Sequence, residues 1–226
     1  MTIRQRLTKD LAARSTKIAP GLTTSFVQKA LDQAIKGVGP LAGAGPAGDK
    51  QLSDHDGDVN EAIREVIEIH VRMAGAQGLV TNIGGLVTMT VTVPANITGL
   101  ALIQCRMVAE IAHLRGYDLD DPRVRNAILE SLLGEERMLK LIKQKLLPGT
   151  PMVLATAPVY DAHLDSLVAT EVASELITKV AGKKLASTIG RRVPVVGGLV
   201  GAGTDGFSTW KIGRYADREF LPRMRR

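Results

Sequence analysis

Apolar residues recur every three or four positions along most of this chain, which is the spacing of amphipathic helices. Residues 3–18 carry this pattern with basic side chains beside it, and they predict a basic amphipathic helix. A second apolar stripe covers residues 26–35 and ends at Gly37, a residue type that commonly terminates helices. The Gly-, Ala- and Pro-rich segment that follows, residues 37–50, predicts a loop.

Capping signals mark the starts of later helices. Asp58 followed by Glu61 has the spacing of a capping box and precedes an apolar stripe. Asp121 and Pro122 place a good cap before a proline at the first helical position. Asp161 is positioned to cap another long helix. The sequence therefore predicts where several of the helices begin.

A strand over residues 86–93, where β-branched residues alternate with threonine, is the competing interpretation. Pro94 and the absence of a hairpin signal nearby argue against it. We therefore expect an all-α single helical domain, a multi-helix bundle with long apolar helices and a Gly-rich helix hairpin near the C-terminus. Residues 1–50 are expected to form basic amphipathic helices and the Gly/Pro-rich loop, and residues 51–226 the main helical domain.

The most informative stretch is a run of 33 uncharged residues from Met73 to Cys105, which is long enough to cross a bilayer. Because it contains Gln, Asn, Thr and Pro, its apolarity is below that of an ordinary spanning helix. A span or re-entrant segment therefore stands beside a buried helix as an alternative. Two shorter uncharged stretches, residues 146–160 and 193–204, suit buried hairpins or insertion into one leaflet.

Composition narrows the classes of function. Aromatic residues make up only 3% of the chain, so it is poorly supplied for stacking on nucleic acid, and no nucleic-acid partner is expected. Cys105 is the single cysteine, which excludes intramolecular disulfides and cysteine-cluster zinc sites and fits a reducing compartment. The first residues contain no apolar run of signal-peptide length. We expect a cytoplasmic location, with any membrane contact at the inner face.

The net charge of +6 is unevenly distributed. Residues 1–50 and 191–226 each carry eight basic and three acidic side chains, whereas residues 51–120 carry four and nine. A basic terminus can bind an anionic surface, with roughly 1 kcal/mol for each Lys or Arg held near it. Pairing of the basic ends with the acidic middle is the alternative.

Two segments carry a family resemblance. VPANITGLALIQCRMVAEIAHLRGYD, residues 93–118, and IGRRVPVVGGLVGAGTDGFSTWKIGRYADREF, residues 189–220, resemble the two signature regions of the EcsC family. These are bacterial proteins first associated with an ABC-transporter operon. The resemblance runs from Asp58 to the C-terminus, and it implies a helical, cytoplasmic, often membrane-associated protein. It implies no catalytic residues.

Other motifs give weak indications of chemistry. Residues 43–48 spell G-x-G-x-x-G, but the pattern shows neither the preceding strand nor the helix start that a dinucleotide site needs. Glu110 and His113 form a Glu-x-x-His pair of the kind that binds metals in four-helix carboxylate proteins, yet no second such pair exists. A calcium loop lacks its glycine, although four acidic residues have the right spacing: Asp54, Asp56, Asp58 and Glu65. No cofactor, resident metal or catalytic residue is expected.

The remaining features favour lipid binding without catalysis. Arg191 and Arg192 precede an apolar Gly-rich run, which suits a phospholipid headgroup above acyl chains. Trp210, close to Lys211, suits a membrane interface. We expect a peripherally membrane-associated protein that binds phospholipid or fatty acid in a hydrophobic cavity and contacts an anionic membrane surface. The residues expected around the acyl chain are Leu86, Met89, Val93 and Leu100. A metal-dependent enzyme using Glu110 and His113, and a membrane-embedded transporter accessory protein, are the alternatives.

Overall fold

The computed structural model describes residues 20–83, 89–189 and 194–224. The elements of these residues, in chain order, are α1 (Pro20–Lys36), β1 (Gly37–Val38), β2 (Leu41–Ala42), α2 (Ala44–Asp54), α3 (Val59–Ile83), α4 (Met89–Leu114), α5 (Pro122–Ser131), α6 (Gly134–Lys143), α7 (Pro151–Ala155), α8 (Ala162–Ile189) and α9 (Pro194–Glu219). The two short strands pair as an antiparallel hairpin. The all-α prediction is confirmed.

Helix α4 is the centre of the bundle. It contacts α1, α2, α3, α5, α8 and α9. From Ala101 to Leu114 nearly every residue is buried, on all sides of the helix. A helix that is covered all round needs apolar residues all round, which accounts for the mostly apolar sequence of this segment.

Three predicted caps are confirmed. The Asp58 carboxylate accepts the backbone N–H of Glu61 at 3.0 Å, while the Glu61 carboxylate pairs with Arg64. Asp121 and Asp161 each accept the backbone N–H two residues further on, at 2.8 and 2.9 Å. These bonds satisfy N–H groups that have no partner inside the helix, so each helix begins where its aspartate stands.

The loop predicted at residues 37–50 is wrong, because this segment forms the β1–β2 hairpin and most of α2. Gly37 adopts a φ of +90°, and a Cβ at Gly43 would lie 2.3 Å from the Ile35 carbonyl oxygen. The glycines thus allow the hairpin to fold back against the end of α1. Helix α2 has poor intrinsic propensity, and its packing on α4 overrides that weakness. The expected boundary between residues 50 and 51 falls inside α2.

The long uncharged stretch is divided between α3 and α4. Residues 89–93 belong to α4, so the strand alternative is wrong there, while residues 84–88 and 1–19 lie outside the described residues. Within the described ranges, every helix is too short or too polar to cross a membrane. Residues 146–160 contain the five-residue α7 and an exposed turn rather than a buried hairpin. Residues 194–204 form the first turns of α9.

Candidate functional site

Helix α9 presents an exposed aromatic pair to solvent. Phe207 is 57% exposed and Trp210 is 46% exposed. Their rings stack with centroids 6.0 Å apart and planes 12° from parallel. The chain has one Trp, three Tyr and three Phe, and these two are the most exposed of the seven. The two rings therefore form an exposed apolar patch on α9.

Cationic side chains lie on the same face of α9 as this pair. The Lys211 ammonium lies 4.8 Å from the centroid of the Phe207 ring. Arg214 and Arg218 continue the exposed stripe along α9, since residues three, four and seven apart share one helix face. Arg218 donates to Glu135 of α6 at 2.5 Å, which places α6 beside this stripe. We call Phe207, Trp210, Lys211 and Arg214 the α9 outer face.

The outer face of α6 adds to this surface. Leu139 is 47% exposed, and Lys140 and Lys143 are exposed beside it. Lys140 pairs with Glu136 at 2.6 Å, and the pKa of Glu136 is held below its usual range, first by this hydrogen bond. The Lys211 charge also lowers that pKa, so α6 and the α9 outer face share one electrostatic environment.

The residues predicted to bind lipid differ in whether the structure describes them and in whether they are buried or exposed. Leu86, Arg191 and Arg192 lie outside the described residues, and the side chains of Met89 and Val93 do so as well, although their backbone is helical. Leu100 is buried with Ala74 and Ile103 in a small cluster that is separate from the main core. Trp210 is exposed. Its neighbour Phe207 was missed, because the spacing of two aromatics does not say whether their helix face is covered.

Glu110 lies on a closed face of α4. Its carboxylate accepts from Arg106 at 2.9 Å, and Arg106 also donates to the carbonyl of Ala42. Burial raises the pKa of Glu110 to about 7 against the opposing effect of Arg106. His70 donates from Nδ1 to the Val66 carbonyl at 2.8 Å, and its Nε2 lies 3.8 Å from Glu110.

This arrangement brings together α3, α4 and the β1–β2 hairpin, and the His70 and Glu110 side chains in it are buried. Burial lowers the pKa of His70 to about 4, so the ring is neutral at pH 7 and its contact with Glu110 is not an ion pair. Arg106 links α4 to the β1–β2 hairpin. The Glu110 carboxylate is therefore held by the Arg106 guanidinium.

His113 packs against the G-x-G-x-x-G segment. A Cβ at Gly45 would lie 3.7 Å from the imidazole, and a Cβ at Gly48 would lie 3.2 Å from it. His113 Nε2 lies 2.8 Å from an Asp49 carboxylate oxygen. The sequence reading that no strand and no helix start flank this motif is wrong, since β2 precedes it and α2 begins inside it. Its glycines pack against His113, and the sheet beside it is only the two-stranded hairpin.

The described residues show no grouping of three or more His, Cys, Asp or Glu side chains that could hold a metal ion. Glu110 and His113 bond to different partners, Arg106 and Asp49. Cys105 is fully buried, and burial raises the pKa of its thiol to about 12, so the thiol stays protonated and unreactive at neutral pH.

Sequence patterns did not indicate a second buried carboxyl, Glu130 of α5. It is fully buried, and within the described part of the chain neither of its oxygens has a hydrogen-bond partner. Burial and the charge of nearby Glu219 raise its pKa to about 9. Tyr215 of α9 faces the same carboxyls, and burial together with these charges raises its pKa. Glu130 is neutral at pH 7, and it is closed to solvent.

Comparisons with known proteins give one match. Searches of the curated proteins and of the solved structures found nothing similar to this chain. The model of the EcsC protein family matches residues 2–226, a range that includes the N-terminal segment before Asp58. Because this match covers nearly the whole sequence, the chain belongs to the EcsC protein family.

Proposed function

We propose that this protein is a peripheral membrane protein that binds anionic phospholipid, without catalysis, through the α9 outer face. The observation that carries the proposal is the exposed stack of Phe207 and Trp210 with Lys211 over one ring. Aromatic side chains with cations beside them suit the bilayer interface, where the rings meet acyl chains and the cations meet phosphates.

The expected affinity follows from these groups. Burying one large aromatic side chain is worth roughly 2 kcal/mol, and each cation near an anionic surface adds about 1 kcal/mol. Because Phe207 and Trp210 are already about half buried, each contributes about 1 kcal/mol, and together with Lys211 and Arg214 they supply about 4 kcal/mol, which corresponds to a Kd of about 1 mM. Binding of this strength is reversible.

Acyl chains have a second place to pack under this proposal. The distal part of α4 carries Met89, Val93 and Leu100, and Leu100 packs in a small cluster of its own instead of in the main core. We propose that this end of the bundle receives the chain of a bound phospholipid or fatty acid. Native mass spectrometry of the purified protein tests this part, because a retained lipid adds its own mass to the spectrum.

The surface is tested with vesicles of phosphatidylcholine alone and of phosphatidylcholine mixed with phosphatidylglycerol. We expect sedimentation of the protein with the mixed vesicles and a blue shift in the fluorescence of Trp210, the single tryptophan of the chain. The double variant Phe207→Ser, Trp210→Ser should bind at least tenfold more weakly, because it removes both apolar anchors.

A matched variant distinguishes binding through this face from non-specific binding of any exposed apolar residues to vesicles. Val38 and Leu41 are 38% and 43% exposed on the β1–β2 hairpin, away from α9 in sequence. The double variant Val38→Ser, Leu41→Ser should bind vesicles as the unmodified protein does. Equal loss in both double variants, or equal binding to neutral and anionic vesicles, would contradict the proposal.

A further inference from the structure

An apolar pocket of about 100 Å³ lies between α5, α7 and the beginning of α8. Its apolar lining comes mainly from the uncharged segment at residues 146–160 and consists of Pro148, Val153, Leu154, Ala157, Val159 and Leu164. Val159 is 75% exposed and Val153 is 49% exposed. The pocket therefore has an apolar rim as well as an apolar lining, and both remain in water unless a ligand covers them.

Hydrogen bonds hold the walls of this pocket in place. Arg123 of α5 donates to the Ala157 carbonyl at 2.6 Å. Asp165 of α8 accepts from both Asn126 and Tyr160. The turn at residues 157–161 is thus fixed to two helices, so the pocket is formed before a ligand arrives, which lowers the entropic cost of binding.

The pocket has an acidic border on a basic protein. The charged side chains that line it or bond to its lining are three carboxylates, Asp121, Asp161 and Asp165, and one guanidinium, Arg123. That guanidinium is already paired with Asp121 at 2.5 Å. The border therefore carries net negative charge, whereas the whole chain carries +6. This charge disfavours a fatty-acid carboxylate or an anionic headgroup and favours a cationic ligand.

The size of the pocket limits what enters it. A cavity of about 150 Å³ accepts a benzene molecule in another protein, so a volume of about 100 Å³ suits one branched aliphatic side chain. We propose that this pocket is the docking site for a cationic segment of a partner protein, which inserts one Leu or Ile side chain between Val153 and Val159. Its Lys or Arg side chains then face Asp161 and the neighbouring carboxylates.

The test is a titration of the ¹⁵N-labelled full-length protein with short synthetic peptides, followed by NMR. The probe is acetyl-KKLKK-amide, and the two controls are acetyl-KKSKK-amide, which lacks the anchor, and acetyl-EELEE-amide, which reverses the charge. We expect amide shifts centred on Val153, Ala157 and Val159 with the probe, and at least tenfold weaker binding of both controls.

Substitutions test whether the negative charge at the border of the pocket contributes to peptide binding. Asn also caps helices, so Asp161→Asn removes a charge while keeping the start of α8, and it should weaken the probe about threefold. Glu136→Gln, on the 86% exposed Glu136 side chain, should change nothing. Equal binding of the serine peptide would indicate a purely electrostatic contact and overturn the proposal. Equal binding of the acidic peptide would indicate a pocket for any apolar group, and would also overturn it, as would shifts elsewhere.

Discussion

The two faces of α9 differ in the size of the side chains that they can accommodate. Toward α3 and α4 the helix presents small or fully buried residues, among them Thr209, which accepts a hydrogen bond from Gln104 at 3.1 Å. Toward solvent it presents Phe207 and Trp210 with cations beside them. Close packing requires small side chains on the inner face, while nothing in the fold requires aromatic rings on the outer face.

The difference separates stability from function along one helix. Substitutions on the inner face should change the free energy of unfolding, because they disturb packing that is already dense. Substitutions on the outer face should leave that free energy nearly unchanged and alter only binding. The following three predictions test this separation, beginning with a buried carboxyl that faces the inner side of α9.

Glu130→Gln should have the largest effect, and the effect should depend on pH. The folded protein holds the Glu130 proton up to about pH 9, whereas an ordinary glutamate has a pKa of 4.5. Between these values the folded state binds the extra proton, so stability falls as pH rises. We expect the unmodified protein to lose about 4 kcal/mol from this group between pH 5 and pH 8.

Urea denaturation at several pH values measures this loss. The Gln variant should lack it and keep only the smaller dependence below pH 7, to which Glu110, with its pKa raised to about 7, and His70, with its pKa lowered to about 4, contribute with opposite signs. Glu136→Gln is the matched control, since the Glu136 side chain is 86% exposed. An unchanged pH slope in Glu130→Gln would mean that Glu130 is ionised in the folded protein.

The features that the sequence predicted are those set by neighbours along the chain. Asp58, Asp121 and Asp161 could be identified as caps because a cap is a hydrogen bond to a backbone group two or three residues away. The family resemblance and the all-α class were also readable, since helical periodicity is a local pattern.

The features that the sequence did not predict depend on distant residues. Helix α2 exists because it packs on α4, and the partners of Glu110 and His113 include His70 and Asp49, which are far from them in sequence. Trp210 could be predicted as a candidate interfacial residue from its type and its cationic neighbour. The stack with Phe207 and its exposure follow only from which side of α9 faces the core.

Gly213→Ala should have an intermediate, destabilising effect. A Cβ at Gly213 would lie 2.9 Å from Ile67 Cγ1 and 3.1 Å from Met107 Sδ, so these side chains, or the helices that carry them, must shift to admit it. The cost of such overpacking is about 1–3 kcal/mol, and it exceeds the gain of roughly 0.5–1 kcal/mol from replacing a helical glycine. We expect a net loss of about 1 kcal/mol in urea denaturation. A more stable variant would show that the inner face can accommodate an additional methyl group without strain.

Gly203→Ala is the same substitution on the other side of α9 and should have the smallest effect, with the opposite sign. Gly203 lies one turn before Phe207 and is exposed, and no atom of the described residues outside its own helical turn lies within 4 Å of an added Cβ. Only the entropic penalty of a glycine in a helix is removed, so stability should rise by about 0.5–1 kcal/mol. Thermal and urea denaturation beside Gly213→Ala measure the contrast directly. Because the two variants gain the same methyl group on the same helix, a difference in sign can come only from what each face contacts, and equal signs would remove the distinction between the faces.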